Sequence, residues 1–124
     1  MKYIVLIPPV AICKGGERRR VPYSPNKKLH WANQHKWKKA WQEMTYWMIK
    51  AQSVPKRERA SVNIKVYSVK PMDKDNCYAS LKGVVDGIVQ AGVVKDDSNE
   101  YLDLEVKQIK VNRYNDEKVV LEIL

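Results

Sequence analysis

Trp37, Trp41, Met44 and Met48 recur at intervals of four, three and four residues. An α-helix brings such positions onto one stripe. The spacing predicts a helix over residues 31–52, ended by Ser53-Val54-Pro55. A helix with two tryptophans on one face needs an apolar surface to cover, and the other segments supply one. Residues 3–7, YIVLI, are a continuous apolar run closed by Pro8-Pro9, as a buried strand would be. Residues 60–70 alternate, with Val62, Ile64 and Val66 opposite Asn63 and Lys65, which predicts a half-buried strand. Residues 102–111 alternate through Leu102, Leu104 and Val106, then slip to Ile109 and Val111, which suggests a bulge. Asn115-Asp116 make a turn before Val119, Leu121 and Ile123. A second helix is predicted from Asp75 to Ala91, stopped by Gly92, with Tyr78, Leu81, Val85 and Ile88 as its packing face. The expected fold is a single α+β domain, residues 1–124, in the order β-loop-α-β-α-β-β. Two helices cover a four-stranded antiparallel or mixed sheet. The Trp/Met stripe reads as core; base stacking is the second reading, since an exposed platform rarely keeps strict helical spacing.

Charge narrows the partner. The chain carries 23 Lys and Arg against 14 Asp and Glu, a formal charge of +9. That balance points to a polyanion, above all nucleic acid. The loop 13–29, CKGGERRRVPYSPNKKL, is long for a compact domain and is expected to contact the partner. Its Arg18, Arg19, Arg20, Lys27 and Lys28, with Lys36, Lys38 and Lys39 of the first helix, are candidates for DNA phosphates. Such contacts fix position rather than sequence. The competing reading of each is a solvated surface charge. No basic amphipathic helix or lipidation signal suggests a membrane surface. No run of 18 apolar residues suggests a span. The start MKYIVLIPPVAIC imitates a secretion signal, but Pro8-Pro9 interrupt it and KGGERRR follows, so it reads as the first strand of a cytoplasmic protein. Cys13 and Cys77 are too few and too scattered, with the histidines, for a zinc site or a disulfide scaffold.

Against this basic background, residues 72–97, MDKDNCYASLKGVVDGIVQAGVVKDD, hold five of the 14 acids: Asp73, Asp75, Asp86, Asp96 and Asp97. Asp73 and Asp75 fall in the turn entering the second helix, where two carboxylates two apart in extended chain point the same way. Asp75 or Asn76 also suits the helix cap. At 3.6 residues per turn, Lys82 and Asp86 return to within about 20° of the azimuth of Asp75, making one polar stripe. Taken alone, Lys82–Asp86 is an ordinary surface pair. Asp96 and Asp97 follow the short connection after Gly92 and can turn back toward Asp73 and Asp75. Carboxylates from separate places with a lysine between them suit Mg²⁺, which prefers carboxylate oxygen and water.

The stretch resembles the RusA family of Holliday junction resolvases, endonucleases that cut four-way DNA junctions. The resemblance rests on DKDN (Asp73–Asn76) and LKGVVDGIVQAGVVKDD (Leu81–Asp97). It extends more weakly to YSPNKKLHWANQHKWKKAW, with Asn26 and His30 in familiar places, and to the tail hairpin. It implies that Asp73, Asp75 and Asp97 bind one or two Mg²⁺ ions and that Lys82 is the catalytic lysine. Asp86 and Asp96 would stand behind them, structural or reaching a metal through water. The lysine follows the second Asp of DxD by seven residues here and by four in some relatives, nearly one helical turn more. The resemblance further implies a homodimer that nicks two opposed strands, leaves 5′-phosphate ends for a ligase, and is bacterial, phage- or prophage-encoded. The rival readings are a non-catalytic basic nucleic-acid-binding module and a Mg²⁺-dependent nuclease acting on other branched DNA.

Overall fold

The computed structural model describes residues 2–12, 16–25 and 30–124. The order is β1 (Tyr3–Ile7), β2 (Val10–Ala11), β3 (Arg18–Arg19), α1 (Trp31–Ala51), β4 (Ala60–Ser68), α2 (Lys74–Ser80), α3 (Lys82–Gln90), β5 (Leu102–Lys110) and β6 (Lys118–Ile123). One sheet runs β1-β6-β4-β5, and β2 pairs with β3 as a separate small ribbon. β4 and β5 are parallel, while β1–β6 and β4–β6 are antiparallel. The α+β class and mixed four-stranded sheet are as expected. A parallel pair requires a crossover, and α2 and α3 provide it.

The sheet is apolar toward the helices. Successive cross-strand rows are Val5–Leu121–Ile64–Val106 and Ile7–Val119–Val66–Gln108. All but Val106 and Gln108 in these rows are buried. Trp37, Trp41, Thr45 and Ile49 form the buried line of α1. Met44 and Met48 pack beside it, half-buried, so the stripe is core and its axis lies one residue from the predicted one.

Several expectations change. The YIVLI run is not buried throughout: β1 pairs only with β6 at the sheet edge, and its Ile4 and Leu6 are 55% and 50% exposed on the face away from the helices. Continuous apolarity does not distinguish a two-faced burial from an edge strand with one wet face. β5 carries no bulge in its pairing, since Ala60↔Leu102 through Ser68↔Lys110 run in unbroken register. The loop 13–29 contains a strand, because Arg18–Arg19 pair with Val10–Ala11. Lys27, Lys28 and Asn26 lie outside the described residues.

The predicted second helix is two helices. At Leu81 the backbone turns to φ −89°, ψ 5°, and its N–H reaches back three residues to Tyr78. The Ser80 hydroxyl donates to the Cys77 carbonyl at 2.7 Å, which takes up the acceptor that the next helical N–H would use. Leu81, Val85 and Ile88 are buried as expected, but Tyr78 is exposed and Cys77 and Val84 face the core instead.

α3 lies directly on α1. A Cβ on Gly83 would collide with the Lys38 carbonyl, and one on Gly87 would sit 2.6 Å from the Gln42 carbonyl. Only glycine permits this approach, because the obstacle is backbone and cannot rotate away. The seam is closed by Gln42 Nε2 donating to Gln90 Oε1 at 3.0 Å. At the far end Gly92, at φ 84°, terminates the helix as the sequence predicts. Gly87→Ala is expected to lower the unfolding free energy by about 1–3 kcal/mol in urea denaturation. A loss below about 0.5 kcal/mol, the range of neutral surface changes, would mean that the two helices have room to part.

Candidate active site

The segment leading to Asp73 is pinned from two sides. Beyond β4, Pro71 cannot extend the ladder. The Val69 N–H donates to Glu117 Oε2 at 2.9 Å. The Met72 N–H donates to Gln108 Oε1 at 2.9 Å, and Gln108 Nε2 donates to the Met72 carbonyl at 2.7 Å. The side-chain amide thus replaces the missing strand neighbour. Gln108 occupies the helix-side position where the alternation of β5 demands an apolar residue. The slip that suggested a bulge in fact marks this polar anchor.

Asp73 is the residue that opens α2, at φ −56° and ψ 149°, and its side chain makes no capping bond. Asp75 lies in the first turn, two residues inside Asp73, so the helix starts earlier than the cap expected at Asp75 or Asn76. Both are exposed. Carboxylates here are favoured by the unpaired N–H groups at a helix start.

The break at Leu81 alters the polar stripe. Lys82 and Asp86 share a face within α3, but the azimuth of Asp75 does not carry through the break. α2 adds seven residues, about 10 Å of helical rise, between Asp73 and Leu81. Lys82 begins α3 and is the centre of a chain of ions. Its Nζ lies 3.0 Å from Asp86 Oδ1 and 3.0 Å from Asp97 Oδ2, and Lys38 Nζ of α1 lies 3.8 Å from Asp86 Oδ2.

Asp97 reaches Lys82 because the chain doubles back after α3. The Arg57 N–H holds the Val93 carbonyl, and the Ser98 carbonyl accepts from Tyr101 and Leu102 at the entrance to β5. Asp96 turns inward on its own loop, its Oδ1 accepting the Asp97 N–H at 2.6 Å. The bond from Lys82 holds the Asp97 carboxyl below its ordinary value. Bonds to Asp86 and Asp97 raise the Lys82 ammonium above its own.

The structure therefore joins Lys82, Asp86 and Asp97, and leaves Asp73 and Asp75 as a separate exposed pair. Among the described residues, no three His, Cys, Asp or Glu side chains are grouped to hold a metal ion, so the predicted three-carboxylate cage is not formed in the free chain. The donor type still fits Mg²⁺. This ion keeps several waters and is commonly held by one or two carboxylates together with substrate phosphate, and Asp73 and Asp75 are donors of that kind.

Among the described residues, the candidate cations differ in their surroundings. Arg19 is half-buried, its guanidinium 3.9 Å from the Tyr23 ring centre and its Nη1 3.4 Å from Glu17. Arg18 is exposed and Arg20 half-buried. Lys36 and Lys39 are exposed and line a hollow with Ala11, Ile12 and Glu43 beside the β2–β3 ribbon. Lys38 is committed to Asp86. A smaller hollow of about 150 Å³ adjoins Lys82 and Lys38, with Trp37, Trp41 and Tyr23 in its wall. The roles of Gln108, Glu117 and the Gly83–Gly87 seam were not legible in the sequence; of these only Gln108 left a visible trace. Among the described residues, no helix is long and apolar enough to cross a membrane.

The shifts carry a sign. A depressed Asp97 stabilises the fold above the ordinary carboxylate range, near pH 4, and that contribution is lost as pH falls through the folded value. A raised Lys82 stabilises below about pH 10 and is lost as pH rises through its folded value. Both side chains are partly exposed, so the pair is worth less than about 1 kcal/mol. In Lys82→Met, carbon-detected NMR should find Asp97 titrating at higher pH than in the parent chain. An unchanged Asp97 would show that Lys82 does not hold it in solution.

No family model and no curated protein matches the chain. Its chemistry rests on these side chains and their surroundings.

Proposed function

We propose that the chain is a Mg²⁺-dependent endonuclease that nicks branched DNA, with the four-way junction as its substrate. One observation carries the reading. An exposed pair of carboxylates, Asp73 and Asp75, opens α2, and the helix break at its other end presents Lys82 beside Asp97. These acids lie on a chain of formal charge +9. Acids that approach a DNA strand need a cation between the two anions, and the spacing of DKDN and KDD matches that need as it does in the RusA-like pattern.

Asp73 and Asp75 would bind the ion, with Asp97 joining them when Lys82 releases it. When bound, Mg²⁺ supplies charge neutralisation of the phosphate and activation of a water for in-line attack. Lys82 would then turn its ammonium from Asp97 to the scissile phosphate, as a point charge. Asp86 keeps that ammonium within reach through its own 3.0 Å contact. Arg18, Lys36 and Lys39 would take backbone phosphates and fix the strand. Two opposed cuts require two such sites, which a homodimer supplies. The non-catalytic reading has one observation in its favour: Lys82 already satisfies Asp86 and Asp97 as ordinary ion pairs.

A cleavage assay separates the two. Labelled four-way junction, flap and linear duplex are incubated with Mg²⁺ or with EDTA, using the parent chain and Asp75→Asn. Paired nicks in the junction should require Mg²⁺ and disappear in Asp75→Asn while junction binding persists. Binding should weaken with salt at a logarithmic slope of about −0.9 per phosphate neutralised. A variant that cuts as well as its parent removes Asp75 from the site, and the absence of any metal-dependent nicking leaves a binding module.

A further inference from the structure

The helix break at Leu81 leaves a hollow of about 150 Å³ between α1, the end of α2 and the segment 22–25. Tyr23 and Trp37 stand in its wall, their rings edge to face with 5.3 Å between centres. The ring of Pro25 adds a third apolar surface. Trp37 is 5% exposed, so its indole belongs to the core and keeps only a margin for the hollow. Liquid water allots about 30 Å³ to each molecule, so this space equals about five waters. Water against apolar rings finds few partners, and an apolar group that displaces it gains affinity.

Size and charge narrow the occupant. The volume is about half the lower limit for drug-sized ligands, which excludes a whole nucleotide and admits one ring system. Lys38 and Lys82 line the same hollow and are exposed. Their ammoniums lie on Asp86 and Asp97, in partly exposed pairs that hold them only loosely. A ring inside and an anion outside is the layout of a base on its sugar-phosphate chain. The formal charge of +9 favours a polyanion over a small aromatic acid. Contact with aromatic rings suits any base, since every base has a π-face.

We propose that this hollow takes one unstacked base of a DNA strand, its ring against Tyr23 and Trp37 and its phosphate outside at Lys38 and Lys82. Lys82 is also the lysine placed beside the scissile phosphate. The base held here therefore belongs to the nucleotide at the cut and fixes which phosphate of the strand is presented. That position rests on the proposed nuclease reading; occupation of the hollow by a base does not.

The test is carried out on Asp75→Asn protein in EDTA, so that cleavage plays no part. Fluorescence anisotropy compares a short labelled thymidine strand with an abasic strand of the same length and charge. Two substitutions at exposed lining positions fill the hollow from opposite sides, Ala79→Phe on α2 and Gln34→Phe on α1. Ala51→Phe, exposed at the far end of α1, is the control. All three should melt near their parent, as surface changes do. The parent should bind the thymidine strand about tenfold more tightly than the abasic one, and Ala51→Phe should keep that ratio. Ala79→Phe and Gln34→Phe should reduce it below about twofold while binding the abasic strand as before; such a loss in either supports the site. The inference is overturned if the parent binds both strands within about twofold, or if neither filled variant loses the preference. A chain that shows this pattern but never cuts DNA keeps the hollow and loses the nuclease reading. A chain that cuts without the pattern does the reverse.

Discussion

Gly83 and Gly87 let the backbone of α3 rest on the Lys38 and Gln42 carbonyls of α1. From that contact the geometry of the site follows. It brings Lys38 to Asp86 and sets the azimuth of α3, so that Lys82 points at the loop before β5. With the helix fixed on α1, and α1 fixed on the sheet through Trp37, Trp41 and Ile49, the loop is the remaining variable. Ser98 and Gly92 bound its course.

The carboxylates arrive at the site in two states. Asp97 is held by an ammonium, whereas Asp73 and Asp75 face water at the start of α2. The magnitude of the Lys82–Asp97 contact decides whether this matters. A partly exposed pair is worth less than about 1 kcal/mol, so it holds the two side chains only loosely. An ion pair of this kind offsets repulsion between the neighbouring carboxylates and presents little barrier to rearrangement. The rigid side of the arrangement is the lead-in to Asp73, tied by Gln108 and Glu117.

Much of the fold was legible because it depends on periodicity. The strand rows through Val62, Ile64 and Val66 and through Val119, Leu121 and Ile123 alternate in sequence and in space. The α1 stripe was legible to within one residue. What escaped has physical causes. The run at 3–7 is apolar on both faces, so periodicity does not reveal which face is wet. The split of the second helix turns on one hydroxyl, that of Ser80, bonding a carbonyl three residues back; no hydrophobic pattern registers that. Gln108 was visible only as a disturbance. The Lys82–Asp86 pair follows from helical spacing, but the return of Asp97 to it depends on a loop whose path is set by backbone bonds to Val93 and Ser98.

The central claim is that Asp73, Asp75 and Asp97 gather around one divalent ion when DNA is present. Mn²⁺ in place of Mg²⁺ broadens NMR signals near its site, so amide spectra of the chain bound to a four-way junction report where the ion sits. The account predicts selective broadening of residues 73–76 together with 96–98, abolished by Asp75→Asn. Broadening confined to one of these segments, located elsewhere, or unaltered in Asp75→Asn would contradict it.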